Sequence, residues 1–248
     1  MKSLVLIVLM LAAGSLAQEA VPAGTILPVQ LNSTVKSNRA RPGDVITARV
    51  MQDVPLTGHS KIRAGARVVG HIVAVQPGNG TGDQISLRFD TVAVGSRRIP
   101  ITTNLRAMAS MMDVSEAQVP ESGPDRGTSE WNWTTDQIGG EVAMHGGGPV
   151  IHGSNVVGRA EGNGVLVRVN ARPGTPCRGV VEGNDEPQAL WVFSSDACGL
   201  YDFPNLVLLH AGRTDPIGEI TLKAQKDSVK IQAGSGMLLR LNRPTQTE

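Results

Sequence analysis

One short phrase occurs three times in this chain and constrains its fold more than any other feature. Val21-Pro22-Ala23-Gly24-Thr25, Ile62-Arg63-Ala64-Gly65-Ala66 and Ile231-Gln232-Ala233-Gly234-Ser235 share one form: an aliphatic residue, a spacer, Ala-Gly, then a small residue. An apolar strand-like run follows each copy. Glycine adopts backbone conformations closed to other residues, so Gly24, Gly65 and Gly234 are read as structural turn glycines that deliver the chain into a strand at a fixed angle. The copies are unevenly spaced, which excludes a regular solenoid.

Between these phrases the dominant period is two. In Gln84-Ile85-Ser86-Leu87-Arg88-Phe89-Asp90 apolar and polar residues alternate, as on a half-buried strand. Val45 to Val50 and Val165 to Val169 are β-branched, and Val68 to Val75 is apolar on both faces, as in the centre of a sheet or barrel. Arg41-Pro42-Gly43-Asp44, Pro77-Gly78-Asn79-Gly80, Val94-Gly95-Ser96 and Gly162-Asn163-Gly164 punctuate the series with turn chemistry. Many short strands with Gly and Pro turns predict a mainly β fold, a barrel or sandwich. One helix is expected at 105–118, where Leu105, Met108, Ala109 and Met112 fall at helical spacing before Pro120. Residues 120–164, rich in Gly, Pro, Ser, Thr and Asn, are expected to be irregular loops.

The start of the chain predicts export. Lys2, the apolar run Leu4 to Ala13 and the small residues before Ala17 form a secretory signal peptide, residues 1–17. The apolar run is about ten residues long, whereas a spanning helix needs roughly 20. Removing the signal leaves 248 − 17 = 231 residues, enough for one large domain or two small ones. Lys2 leaves with it, so Lys+Arg falls from 23 to 22 against Asp+Glu 22. That balance gives no electrostatic reason to expect nucleic acid, and no transmembrane helix is expected after cleavage. Cys177 and Cys198 both lie in the exported part, where a pair reads as a disulfide, or otherwise as two buried thiols. The expected location is periplasmic or secreted.

The stretch His145-Gly-Gly-Gly-Pro-Val-Ile-His152-Gly has the look of an active site. Its first four residues spell the oxyanion loop of one esterase class, but such an enzyme also needs a Gly-x-Ser-x-Gly elbow, and the chain has none. A zinc site needs three or four ligands, and His59, His71 and His210 are scattered. Gly146, Gly147 and Gly148 therefore read as a surface turn. Ser194, Ser195 and Asp196 read as turn residues before Cys198. Glu182, Asp185 and Glu186 lack the opposed apolar pocket of a glycosidase pair. No catalytic, cofactor-binding or metal-binding residue is assigned. Trp131 and Trp133 share a face of a short extended segment; exposed, they would be contacts for a partner or glycan, and buried, they would anchor the loop.

A family resemblance rests on Pro22-Ala23-Gly24-Thr25-Ile26-Leu27-Pro28, Pro42-Gly43-Asp44-Val45-Ile46, Val50 to Val54, Ile62-Arg63-Ala64-Gly65 with Gly70, Ile85 to Asp90, and the closing run Ile231 to Asn242. These pieces, within 21–101 and 231–242, cover about 40% of the chain. In this order they resemble the C-terminal β-barrel domain of the TrbI family, scaffold proteins of type IV secretion outer-membrane complexes. The resemblance implies a barrel built by the chain ends, 18–104 and 231–248; where the family inserts a helical hairpin, this chain has an inserted region, 105–230, whose 165–230 part is β-rich and holds the cysteines. It also implies a bacterial cell-envelope protein with a non-catalytic structural or protein-binding role, whose partner is another envelope protein or a second copy of itself. A glycan or small-ligand binding module and a hydrolase of unfamiliar design are the alternatives.

Overall fold

The computed structural model describes residues 21–56, 60–121, 129, 133–171, 177, 183–209 and 218–242. The signal segment 1–17, His59, Trp131, Glu182 and His210 lie outside the described residues. The described residues are mainly β with one short helix. Its first nine strands are β1 (Ile26–Leu31), β2 (Val35–Lys36), β3 (Val45–Val50), β4 (Val54–Pro55), β5 (Lys61–Ile62), β6 (Arg67–Gln76), β7 (Gln84–Val94), β8 (Arg97–Pro100) and β9 (Thr103–Ala109). After the helix α1 (Met111–Glu116) come β10 (Thr134–Gln137), β11 (Glu141–Met144), β12 (Pro149–His152), β13 (Asn155–Glu161), β14 (Gly164–Val167) and β15 (Gln188–Ala189). The last five are β16 (Gly199–Tyr201), β17 (Leu206–Leu209), β18 (Ile220–Ala224), β19 (Lys230–Ile231) and β20 (Gly236–Leu241).

A ten-stranded sheet runs β16-β9-β20-β1-β3-β6-β7-β18-β17, with β8 paired beside β7. Its end strands β16 and β17 are consecutive in the chain and lie side by side, so the sheet curls into a nearly closed barrel. The recurring phrase is the turn that feeds it. Gly24, Gly65 and Gly234 have φ of +89°, +85° and +90°. In each copy the residue after the glycine donates its N–H to the carbonyl three residues back, Thr25 to Pro22, Ala66 to Arg63 and Ser235 to Gln232. Positive φ at the third position with that bond is the pattern of a type II turn. Each glycine N–H also closes the last carbonyl of a neighbouring strand, Leu241, Val50 or Leu31, and a new strand opens two residues later. Three copies of one turn thus set three strands into one barrel. Its interior is filled by aliphatic side chains and Phe89.

The expected helix over 105–118 is divided between a strand and a shorter helix. Thr103–Ala109 is β9, buried along its whole length, and the helix occupies only Met111–Glu116, capped by the Ser110 hydroxyl accepting from the Asp113 N–H at 3.1 Å. The cause is a β-bulge. In the β20 pairing Leu238 faces Ala107 and Leu239 faces Leu105, so Arg106 is the extra residue. Leu105 and Met108 then both turn into the barrel core at a spacing of three, which imitates a helical stripe.

The expected irregular region 120–164 also contains strands. β10 to β15 form a six-stranded antiparallel sheet in chain order. The dense glycines are its hairpin turns, and strands of four residues are too short to show a period. Within the expected insert, β16, β17 and β18 instead complete the barrel.

This second sheet covers the outside of the barrel. Ile26, Ala107, Ala109 and Leu238 on the barrel's outer face pack with Val150, Val165 and Val167 and with the segment Leu190 to Phe193. β9 and β20 are consequently buried on both faces. Gln52 bolts the layers together, donating from Nε2 to the Val165 carbonyl at 3.0 Å and accepting the Trp191 N–H at 2.8 Å. Trp191 needs such a bolt, since its φ is +54° and a left-handed non-glycine residue costs roughly 1–2 kcal/mol.

Cys177 and Cys198 are joined, with Cα atoms 5.6 Å apart, and both are buried. The bond closes a loop with a sequence separation of 21, and removing such a cross-link costs about 3 kcal/mol in the chain-entropy model. Cys177→Ser with Cys198→Ser is therefore expected to lower Tm by roughly 6–12 °C. Calorimetry checks this, and an unchanged Tm would show that the bond contributes no stability.

Candidate functional site

The seam between the two sheets gathers the densest buried polar chemistry. The turn Gly139-Gly140 leads into β11 and points the Glu141 carboxylate inward, where it is fully buried. Its Oε2 accepts the Ser195 N–H at 2.9 Å and its Oε1 accepts the Ser195 hydroxyl. At the end of β12, His152 places Nδ1 3.6 Å from Glu141 Oε1 and Nε2 3.9 Å from Asp196 Oδ2. Asn170 Nδ2 donates to Asp196 Oδ1 at 2.8 Å.

Arg106, the bulge residue, enters the same seam and is 1% exposed. Its guanidinium donates to three carbonyls, Ala197 at 3.0 Å, Asn170 at 2.8 Å and Ser195 at 3.2 Å. Burial, and to a lesser degree the nearby Arg240 charge, holds its pKa down to about 10. It still carries its charge at neutral pH and fastens the turn that runs into the disulfide.

Serine, histidine and carboxylate are thus together, but in an order that does not activate serine. In a catalytic triad the imidazole lies between hydroxyl and carboxylate and removes the hydroxyl proton. Here Glu141 lies between Ser195 and His152, and the hydroxyl is spent on a carboxylate that also caps a backbone N–H. Ser195 is 6% exposed and Glu141 not at all. The arrangement holds a turn.

His145 is not part of that cluster. His145, Gly146 and Gly147 form the β11–β12 turn, with Gly146 and Gly147 at φ of +70° and +83°, and they line a separate cavity of about 740 Å³. Trp133 is half-buried, its ring centroid 6.3 Å from that of His145 at an interplanar angle of 68°. His71 pairs with Asp90, Nδ1 to Oδ2 2.7 Å, across β6 and β7. Asp185 and Glu186 are exposed. Among the described residues no three His, Cys, Asp or Glu side chains are placed to hold a metal ion. None of the described helices is long and apolar enough to cross a membrane.

A separate groove of about 830 Å³ lies beside β2 and β19. β2 and β19 pair with Lys36 directly opposite Lys230, and Arg39 lines the same groove. Like charges across a strand pair repel. Among the described residues no carboxylate forms an ion pair with these three cations. Apolar side chains stand beside them, Val45 66% exposed and Met111 39%.

Sequence reasoning misses Glu141, Arg106 and Gln52. Only Arg106 carries a signal, a lone cation inside the apolar run Leu105 to Ala109. No model of a known protein family matches this chain, and no curated protein is similar to it.

Proposed function

We propose that this chain is an exported, non-catalytic protein of the bacterial cell envelope that holds a second envelope protein in the groove beside β2 and β19. One observation carries the reading: three cations without ion pairs among the described residues, two of them opposed, beside exposed Val45 and Met111. A partner segment bearing carboxylates and an apolar side chain relieves the Lys36–Lys230 repulsion and covers the apolar surface together. Export is supported by the signal-peptide pattern at 1–17 and by the disulfide, a bond that persists in oxidising compartments. The resemblance to TrbI scaffold domains and the barrel-like sheet support an envelope role. Burial of Ser195 against Glu141 weighs against a hydrolase.

The test places a photo-crosslinking amino acid at Val45 in cells and compares the chain with its Lys36→Glu, Lys230→Glu variant. A cross-linked product of one discrete mass, reduced at least tenfold by the double charge reversal, is the expected result. A product at twice the chain's mass identifies a second copy as the partner. An identical product in both backgrounds, or none, would overturn the assignment.

A further inference from the structure

The cavity under the β11–β12 turn is a second binding site, independent of the groove. We propose that it takes a short, uncharged, polyhydroxylated ligand, a neutral saccharide. At about 740 Å³ it lies within the range of small-molecule sites, roughly 300–1,000 Å³. It opens between the inner face of the six-stranded sheet and the segment holding Trp191 and Val192, with Met51 and Val165 adding to an apolar floor.

Two buried polar atoms in its wall lack a hydrogen-bond partner among the described residues. Gln137 is 5% exposed; its Nε2 donates to Thr135 Oγ1 at 3.2 Å, while its Oε1 accepts from nothing there. The Nε2 of His145 is likewise buried and without a partner. Buried amide oxygens and ring nitrogens are otherwise almost always satisfied; both of these are covered while the cavity is empty, so a ligand reaches them by a turn of the two side chains that their unmet bonds favour. An amide oxygen needs a donor, and an imidazole nitrogen needs a donor or an acceptor according to its tautomer. A hydroxyl serves both.

The remaining lining selects the class. Among the described residues no lysine or arginine reaches the cavity, so phosphates and carboxylates find no counter-charge. The carboxylate that does line it, Glu161, accepts from Arg159 at 3.2 and 2.8 Å. Gln118 and Asn163 add two more side-chain amides, each offering a donor and an acceptor in one plane, the geometry that matches neighbouring hydroxyls. Gly146, Gly147 and Gly162 leave the rim without side chains, so a ligand can approach the backbone. The Trp191 backbone, held in a left-handed conformation by Gln52, shapes the floor. Strained residues of this kind concentrate at ligand sites.

Isothermal titration calorimetry of the full exported chain with maltotriose, N-acetylglucosamine trimer and a glucuronate-containing trisaccharide tests the assignment. Saturable binding of a neutral trimer, at least tenfold tighter than the charged one, is expected. Which neutral trimer binds tells a plain storage-type glucan from an amino-sugar polymer of the cell wall. Gln137→Leu should weaken binding at least tenfold with Tm unchanged, and Asn163→Ala, at the exposed rim, about threefold. Should Gln137→Leu fail to fold, Asn163→Ala alone decides, since a folded rim variant with full affinity overturns the site. No heat with either neutral trimer overturns it as well, and so does tighter binding of the glucuronate sugar. Neither result touches the cross-linking experiment at Val45.

Discussion

Arg106→Leu is expected to lower stability by about 4 kcal/mol, close to the whole margin of many domains. The substitution strips the Ala197 and Asn170 carbonyls of the guanidinium donor and leaves the Ser195 carbonyl only the Asn170 N–H at 3.2 Å, and each such group left dry costs about 1–3 kcal/mol. Part of the loss is offset, because burial already penalises the guanidinium and has brought its pKa down to about 10. Arg106→Lys should recover only a fraction, since an ammonium is a point donor and lacks the planar fork that spans several carbonyls. Urea unfolding monitored by far-UV circular dichroism measures both. A leucine variant within about 1 kcal/mol of the parent would mean that the seam does not depend on this side chain. The turn carrying Ser195 and Cys198 should be the first part to open, which hydrogen exchange at Ser195 can follow.

Gly70→Ala is expected to cost about 4–5 kcal/mol or to prevent folding. A methyl group at this position would overlap the Arg88 carbonyl and crowd the Phe89 Cα, both main-chain atoms of the paired strand β7. Main chain cannot swing aside as a long side chain can, so the β6–β7 pairing must separate where its register already shifts. Gly147→Ala is the natural comparison. A methyl there meets nothing, although φ is +83°, and only the left-handed backbone cost of roughly 1–2 kcal/mol remains. Equal losses in the two variants would show that backbone conformation, rather than close approach, sets the requirement at Gly70. The contrast also bears on the His-Gly-Gly-Gly stretch, whose middle glycine serves its own turn.

The β class, the three strand-feeding turns and the cysteine pair are all legible in the amino-acid sequence itself. Each depends on interactions closed within a few residues or, for the cysteines, on chemistry with few alternatives. A turn such as Val21 to Thr25 completes its own hydrogen bond, so its residues carry the whole instruction. The helix expected over 105–118 shows where such reading ends. Leu105 and Met108 are three apart because Arg106 is bulged out of a strand, and a bulge is a property of two paired strands. Likewise the glycines of 139–164 signal turning without saying that the short segments between them pair into a sheet.

The site residues lie further beyond reach. Glu141 meets Ser195 across 54 positions of chain, and neither residue type is unusual where it stands. Gln137 and His145 share one face of the β10–β11 hairpin, and that face becomes a cavity wall only because Trp191, Val192 and Met51 stand opposite it. Local chemistry in the sequence determined the turns, the strand-rich class and the candidate disulfide. The tertiary structure alone decided that Ser195 is tied up, that Lys36 faces Lys230, and that a neutral cavity opens beneath His145. Burial and charge repulsion are set by neighbours in space, and those neighbours exist only once distant strands have paired.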